Sequence, residues 1–347
     1  MSQRLPPLPT LKDILRIYGI RAQKKLSQNF ILDPKTLSRL SKVTGSLYNK
    51  TVVEVGPGPG GITRAILEQG AQKVFVIEKD SRFLPSLDLL REASGNRLSI
   101  KIGDCLHFNT QKLLNSDLKS NWPDQAPNIR LIGNLPFNVA TPYVVKLFEC
   151  MSDRSNIFSF GRVPSILTFQ HEVAYRLIAP PGDKHRCRLS VMAQNYAKID
   201  YKYTLPGAAF VPTPEVNVGV AVLIPLSVPY IDVPFKFLER VVTTIMMHKQ
   251  KSVFRTSLRL FPSEVRGKMA MQLLDVAGVS KDKRPLDLTM DDFARITYTY
   301  QDMIQKYENV KEYINRDVKI ILNAVHNCDS NEIDLIESCK PKYHFVI

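Results

Sequence analysis

Acidic side chains stand at three successive places where strand-like runs of the sequence end. Glu54 lies at the end of the run Thr51–Val55, just before a glycine- and proline-rich loop at residues 56–61. Glu78 closes the next run, and Asp104 follows the third. Glu78 could accept hydrogen bonds from both hydroxyls of a ribose, and Asp104 from the amine of an adenine. Three such acids beside this loop favour a site for an adenosine-containing cofactor over a set of helix caps.

The loop itself argues against a phosphate ligand. A dinucleotide-binding loop offers backbone N–H groups to a pyrophosphate, but Pro57 and Pro59 have no N–H to offer. Glu54, an acid just before the loop, disfavours a bound phosphate further. A rigid loop of this kind suits a neutral or zwitterionic group, such as the methionine portion of S-adenosylmethionine.

A second motif, Asn134-Leu135-Pro136-Phe137, follows a fourth run and is typical of chemistry on an amine. An exocyclic adenine amine is a poor nucleophile because its lone pair is delocalised into the ring. The side-chain oxygen of Asn134 and the carbonyl of Leu135 or Pro136 could accept its two hydrogens and aim the lone pair at a sulfonium methyl group. Phe137 would offer the base a stacking face worth about 1–3 kcal/mol. Orientation of the two reactants would supply most of the rate gain.

The elements around these motifs read as an α/β fold. Short apolar runs alternate with helical patterns, which indicates βαβ units and a parallel sheet whose carboxyl ends bind the ligand. Residues 189–196, 201–205 and 218–224 are interpreted as further strands. From Pro234 onward the sequence is helical and basic, so we place a domain boundary between Pro225 and Pro234.

Composition narrows the class of partner and the compartment. The chain of 347 residues has a net charge of +14 and a pI near 9.5, which favours a polyanionic partner over mere solubility. No apolar run approaches the roughly 20 residues of a membrane span. No two cysteines have CxxC spacing, so neither a disulfide framework nor a metal site is indicated, and a reducing compartment is expected. The cysteines are Cys105, Cys150, Cys187, Cys328 and Cys339.

The first 28 residues are basic and amphipathic. This segment contains six basic residues and a single acid, Asp13. Apolar residues recur in it at helical spacing, at Leu11, Ile14, Leu15 and Tyr18. An organelle-import segment and an RNA-binding arm both have this composition, and composition does not separate them. The basic residues are Arg4, Lys12, Arg16, Arg21, Lys24 and Lys25.

Several motifs together resemble the ribosomal RNA adenine dimethyltransferase family, in order from about Leu5 to Phe293. They are residues 25–30 (KLSQNF), 54–60 (EVGPGPG), 133–137 (GNLPF), 188–194 (RLSVMAQ), 210–216 (FVPTPEV), and Arg284-Pro285 with Leu288-Thr289 and Phe293. Residues 5–10 and 163–177 look most like the mitochondrial branch of that family.

The resemblance implies a Rossmann-like class I methyltransferase domain at residues 29–228 and a smaller all-helical C-terminal domain at 229–305. Residues 1–28 would precede them as the basic segment, and 306–347 would form a tail without an assigned role. It also implies dimethylation of two adjacent adenines in a conserved hairpin near the 3′ end of small-subunit rRNA. The expected setting is a monomer in the mitochondrial matrix that acts on the assembling small ribosomal subunit.

Site residues follow from the same resemblance. Phe137 and Phe210 would sandwich a flipped adenine, and Lys249, Lys251 and Arg255 would bind RNA. Cofactor contacts are expected at Asn29, Ile31, Gly56, Glu78, Asp104 and Asn134, with Gln28, Gly58, Lys79 and Cys105 as close neighbours.

The sequence departs from the family pattern at two places. The family often carries Arg-Arg-Lys in the C-terminal domain, where this chain has Lys249-Gln250-Lys251, so bidentate phosphate contacts would be lost while point charges remain. The tyrosine of the target motif is Phe137 here, which keeps the stacking face and loses a hydroxyl.

Two other functions compete with this interpretation. One is a non-catalytic accessory factor for mitochondrial transcription that binds DNA and RNA polymerase. The intact Asn134 motif and the cofactor acids favour the enzyme, although one protein could do both. The other is a large-subunit adenine methylase of the antibiotic-resistance type, and the long match from Phe210 to Phe293 argues against it.

Overall fold

Helices and strands alternate along the computed structural model, which describes residues 5–20, 22, 28–43, 45–307 and 310. The strands are β1 Phe30–Ile31, β2 Thr51–Val55, β3 Lys73–Glu78, β4 Leu98–Ile102, β5 Ile129–Gly133, β6 Ser165–Gln170, β7 Ala197–Leu205, β8 Phe210–Val211 and β9 Val218–Pro225. The helices are α1 Leu11–Ile17, α2 Pro34–Ser41, α3 Gly61–Glu68, α4 Leu84–Ala93, α5 Phe137–Ser152, α6 His171–Ile178, α7 Arg188–Tyr196, α8 Phe235–Met246, α9 Val253–Ser257, α10 Arg266–Ala277 and α11 Met290–Lys306.

The main sheet has the strand order β4-β3-β2-β5-β6-β9-β7. The first five strands in this order run parallel, and β9 and β7 are antiparallel to their neighbours. The parallel sheet predicted from the sequence is therefore confirmed, and so is the α/β fold class. Because the parallel strands point the same way, the loops after β2, β3, β4 and β5 lie at one edge.

Apolar side chains on successive strand residues point to opposite faces of the sheet and feed two cores. The first core cluster contains Val53 and Leu131 and extends to the C-terminal helices through Leu238. The second core cluster contains Val52 and Ile132, the neighbours of those strand residues. Helices cover both faces, as a parallel sheet requires.

The predicted domain boundary coincides with the change from β9, which ends at Pro225, to α8, which begins at Phe235. The first core cluster nevertheless runs across this point, from the sheet into α8, α10 and α11. Two separate folding units at 29–228 and 229–305 therefore remain a prediction.

One predicted strand is wrong. Residues 188–196 form helix α7, which contacts α5, α6, α8 and β7. Because neighbours surround this helix, Val191, Met192, Ala193 and Tyr196 are all buried, and no polar stripe reveals the helical period. A short apolar run of this kind cannot be distinguished from a strand by periodicity alone.

The amphipathic N-terminal stretch forms α1, capped by the Thr10 side chain, which accepts a hydrogen bond from the Asp13 N–H. Leu11 and Ile14 are buried in the second core cluster, so this part of the basic segment packs as part of the fold. Arg21, Lys24 and Lys25 lie outside the described residues, as do Cys328, Cys339 and nearly all of the predicted tail. None of the helices that the structure describes is long and apolar enough to cross a membrane.

Candidate active site

Two adjoining cavities open at the carboxyl edge of the parallel strands. The narrow cavity, about 70 Å³, is lined by residues 28–31, the glycine loop, Glu78 and Asn134. The wide cavity, about 420 Å³, is lined by residues 77–81, 103–105 and the start of α5. Both share Gln28, Gly56, Glu78 and Pro136. They therefore form one cleft, in which Glu78 and Asp104 come together with residues 134–136. Phe137, the last residue of that motif, lines neither cavity.

Glu78 stands at the junction of the two cavities and is only 7% exposed. Its two carboxylate oxygens each accept one backbone N–H, from Gly58 at 3.0 Å and from Asp80 at 2.8 Å. Burial raises the pKa of this carboxyl against the effect of those bonds. These two bonds fix the orientation of the carboxylate. Each oxygen can still accept a second hydrogen bond, so the group remains able to accept from a ligand.

The glycine loop packs closely against the Asn134 motif at Gly56. Gly56 has φ +66°, a conformation that favours glycine. A Cβ there would come within 2.9 Å of Leu135 Cδ2. The space that a side chain at Gly56 would need is thus already filled by Leu135.

Glu54 differs from the sequence interpretation. The side chain is fully buried, its Oε2 accepts a hydrogen bond from the Thr63 hydroxyl at 2.6 Å, and its Oε1 has no partner in the described part of the chain. Burial raises the pKa of Glu54 to about 8. The carboxyl is therefore mostly neutral near pH 7, so it does not disfavour a phosphate through charge.

Asp104 lies at the far end of the wide cavity. Lys79 Nζ is 2.9 Å from its Oδ2, and the Leu106 N–H donates to its Oδ1 at 2.9 Å. Burial pushes the pKa of Asp104 upward, but Lys79 and the Leu106 N–H outweigh it and the pKa is lowered. The neighbouring Cys105 thiol has its pKa raised to about 11 by burial, so it stays protonated.

Asn134 is held on both sides of its carboxamide. Its Nδ2 donates to the Asn29 carbonyl at 3.4 Å, and its Oδ1 accepts from the Thr168 hydroxyl at 2.7 Å. The Pro136 carbonyl accepts from two N–H groups of α5, those of Val139 and Ala140, both at 2.9 Å. It is therefore committed to the helix start. The Leu135 carbonyl accepts no hydrogen bond within the described residues, so of these two carbonyls only that of Leu135 keeps its acceptor capacity.

The model of the family described as "Ribosomal RNA adenine dimethylase" matches residues 19–302. The chain belongs to the ribosomal RNA adenine dimethylase family. It is therefore a methyltransferase, as the sequence predicted, and its resemblance to this family is confirmed.

Curated relatives agree with the family assignment. The mitochondrial dimethyladenosine transferase 1 of Xenopus tropicalis is 44% identical over 90% of this chain and 91% of its own length. The human protein of that name is 42% identical over 90% and 91%, and that of Drosophila melanogaster 39% over 92% and 95%.

Two solved structures share the fold. A dimethyladenosine transferase from Plasmodium falciparum has a TM-score of 0.61 and 20% identity, covering 78% of this chain and 96% of its own. The 23S rRNA methyltransferase ErmE has a TM-score of 0.53 and 20% identity, covering 78% and 99%. The Rossmann-like methyltransferase fold is thereby confirmed for this chain.

The two predicted stacking residues, Phe137 and Phe210, differ in exposure. Phe137 is the first residue of α5 and is half-buried against the second core cluster. Phe210 is only 2% exposed, because β8 pairs with β1 and places Phe210 opposite Ile31 inside that cluster. Phe210 therefore presents no ring face to a base in this structure, and its predicted stacking role is not supported.

The predicted RNA-binding cations also differ in exposure. Lys251 and Arg255 are exposed in the α8–α9 region. Lys249 is half-buried, and its ammonium donates to the carbonyls of Lys184 at 2.6 Å and Arg186 at 3.2 Å. The Lys249 ammonium thus holds the loop that contains Lys184 and Arg186. Its charge is engaged in that contact.

Sequence reasoning missed two groups that shape the cleft. Asp80 accepts from Gln28 Nε2 at 3.0 Å and from Arg82 Nε at 2.9 Å, which ties residue 28 to the loop after β3. Thr168, within the buried strand β6, bonds Asn134. The only signal for either was a polar residue in an unexpected place, an acid two residues after Glu78 and a threonine inside an apolar run.

Proposed function

We propose that the protein is an S-adenosylmethionine-dependent rRNA adenine N6,N6-dimethyltransferase. Its target would be two adjacent adenines in the conserved hairpin near the 3′ end of mitochondrial small-subunit rRNA, modified in the matrix as that subunit assembles. One observation carries the proposal: Asn134, with its amine-accepting oxygen, lines the same narrow cavity as the buried acid Glu78. Support for the location comes from the relatives, which are named as mitochondrial.

The cleft fits the cofactor of this chemistry. The wide cavity has the volume of a small-molecule site. Glu78 keeps acceptor capacity for two ribose hydroxyls, and Asp104 and Cys105 lie farther along this cavity, where an adenine would be held. The narrow cavity beside Pro57 and Pro59 would take the methionine portion. When bound, S-adenosylmethionine supplies a methyl group activated by a positively charged sulfur.

On the acceptor side, the chain would orient the amine rather than deprotonate it. Asn134 Oδ1 and the Leu135 carbonyl would each accept one amine hydrogen, which directs the nitrogen lone pair away from both acceptors and toward the methyl donor. No strong base would be needed, because the nitrogen proton becomes acidic once the nitrogen is methylated, and one proton would pass to water with each transfer. After the first transfer one hydrogen remains, and after the second none does. The doubly methylated base therefore loses both of these hydrogen bonds, which favours its release.

Charge supports RNA as the macromolecular substrate. The net charge of +14 favours a polyanion, and two cations of the C-terminal region are exposed, Lys251 in the connection between α8 and α9 and Arg255 in α9. Phe137, half-buried at the start of α5, would stack on the flipped adenine. These roles are proposals that rest on the acceptor loop and on the family.

The test uses the purified full chain, labelled methyl donor and three RNAs. These are the 3′-terminal small-subunit hairpin, the same hairpin with both adenines replaced by guanines, and a large-subunit rRNA hairpin. The same reaction is run on small-subunit particles that lack the modification. We expect label on the first hairpin or on the particles, and none on the guanine hairpin.

Label on the large-subunit hairpin alone would move the substrate to the other subunit. No label on any RNA or particle, from folded protein that binds the cofactor, would reject the enzymatic proposal and leave the accessory role in transcription as the better explanation.

A further inference from the structure

Thr168 is a buried polar side chain inside the main sheet. It lies in β6, between β5 and β9, and is 1% exposed. Its neighbours along the strand, Leu167 and Phe169, are buried apolar residues. A hydroxyl buried in this way is costly unless it makes a hydrogen bond. A valine has almost the same shape and suits a buried strand well, so the hydroxyl calls for an explanation.

The hydroxyl of Thr168 has one hydrogen-bond partner in the described part of the chain, Oδ1 of Asn134, at 2.7 Å. Asn134 is the first residue after β5, and β6 is the adjacent parallel strand. The strand pairing therefore sets the distance between the two side chains. This contact does not depend on a mobile loop or on a long, flexible side chain.

The Asn29 carbonyl determines which end of the same amide faces Thr168. A backbone carbonyl only accepts hydrogen bonds, so Nδ2 of Asn134 must face it, as observed at 3.4 Å. Turning the amide over would set Oδ1 against that carbonyl, oxygen to oxygen. With Nδ2 facing Asn29, Oδ1 faces Thr168, whose hydroxyl donates its single proton there. One acceptor position of Oδ1 is thereby filled, and the second remains available.

We propose that Thr168 is a positioning residue for methyl transfer: its hydroxyl holds the Asn134 carboxamide so that the remaining acceptor position of Oδ1 meets the target amine. The inference rests on the proposed function, in which Asn134 accepts an amine hydrogen. The Asn29 contact, at 3.4 Å, is the longer of the two and holds the amide less tightly. Loss of the Thr168 hydroxyl would therefore let the amide rotate while the fold and the cofactor acids stay in place.

The test compares Thr168→Val, which removes the hydroxyl at nearly constant shape, with Thr168→Ser, which keeps it. For the valine variant we expect kcat to fall about tenfold. We expect its cofactor Kd and its melting temperature to stay close to those of the parent. The serine variant should recover most of the lost kcat. A purely structural role would change the melting temperature and cofactor binding together and would not separate the two variants in kcat.

A second measurement does not need an RNA substrate. The side-chain amide resonances of Asn134, assigned by their loss in Asn134→Ala, should shift or broaden in Thr168→Val and remain in place in Thr168→Ser. Unchanged resonances in the valine variant, or a valine variant with parental kcat, would overturn the role of Thr168. If the parent protein methylates no RNA while these resonances respond as expected, the proposed function is wrong. The hydrogen bond by which Thr168 orients Asn134 is then still confirmed.

Discussion

The two sides of the cleft are held by different kinds of contact. On the proposed cofactor side, backbone N–H groups from Gly58, Asp80 and Leu106 hold the carboxylates of Glu78 and Asp104, and the Lys79 ammonium adds a single side-chain contact to Asp104. On the acceptor side, Asn134 depends on one side-chain hydroxyl and one longer contact to a carbonyl. Backbone donors remain after almost any substitution, whereas a side-chain donor is lost with a single one. The acceptor side should therefore be the more sensitive to point mutations, and its mutations should affect turnover rather than cofactor binding.

Asn134→Ala tests this difference most strongly. Because the acceptor for one amine hydrogen disappears, we expect kcat to fall about a thousandfold, with cofactor Kd changed by less than about threefold. Single-turnover methylation and titration calorimetry measure the two quantities. Asn121→Ala is the matched control, since Asn121 is exposed in the loop before β5 and should leave both unchanged. A variant that turns over at a near-normal rate would remove Asn134 from the mechanism.

Gly56→Ala should affect both sides of the cleft at once, cofactor binding as well as turnover. Its Cβ would stand 2.9 Å from Leu135, and φ +66° is strained for alanine. We expect cofactor affinity to fall about a hundredfold and kcat to fall with it, because the acceptor loop must move. Gly267→Ala is the control, since no atom lies within 4 Å of a Cβ there, and it should leave both constants alone. Parental affinity in Gly56→Ala would show that the loop adapts to a methyl group.

Glu54, buried in β2 just before the glycine loop, offers a pH-dependent test. Its pKa is raised from 4.5 to about 8 by burial, so between those values the folded state binds more protons at this site than the unfolded state. The free energy of unfolding should therefore fall as pH rises through this window, by at most about 1.4 kcal/mol per pH unit. Below pH 4.5 Glu54 is protonated in both the folded and the unfolded state, so it does not lower the free energy of unfolding. Above pH 8 it is ionised in both states, so the loss of stability no longer grows with pH.

Glu54→Gln cannot ionise and should not show this fall. Melting curves of the parent and the variant from pH 5 to 9 should diverge as pH rises, with the variant the more stable at the alkaline end. Glu68→Gln, an exposed change on α3, serves as the control. Parallel curves for the parent and Glu54→Gln would mean that Glu54 is ionised in the folded protein at pH 7.

Sequence reasoning predicted the features that depend on topology. Once β2 to β5 were interpreted as parallel strands, their ends had to meet, which placed Glu78, Asp104 and Asn134 at one edge. It did not predict features that depend on tertiary contact. The protonation of Glu54 follows from burial, and the Thr168 bond follows from strand neighbours that are far apart in sequence. For the same reason a helix enclosed on all sides was mistaken for a strand at residues 189–196.

The smallest effect is expected outside the cleft, where Lys251 and Lys249 extend the same comparison. Lys251 is exposed and should act on RNA through its charge alone, so Lys251→Gln should weaken RNA binding a few-fold and lower the salt slope by about one. Lys249→Gln removes an ammonium that donates to two backbone carbonyls, so it should lower the melting temperature as well. Filter binding at several salt concentrations and thermal melts separate the two. Equal salt slopes and equal melting temperatures in both variants would show that Lys249, like Lys251, is only a surface charge.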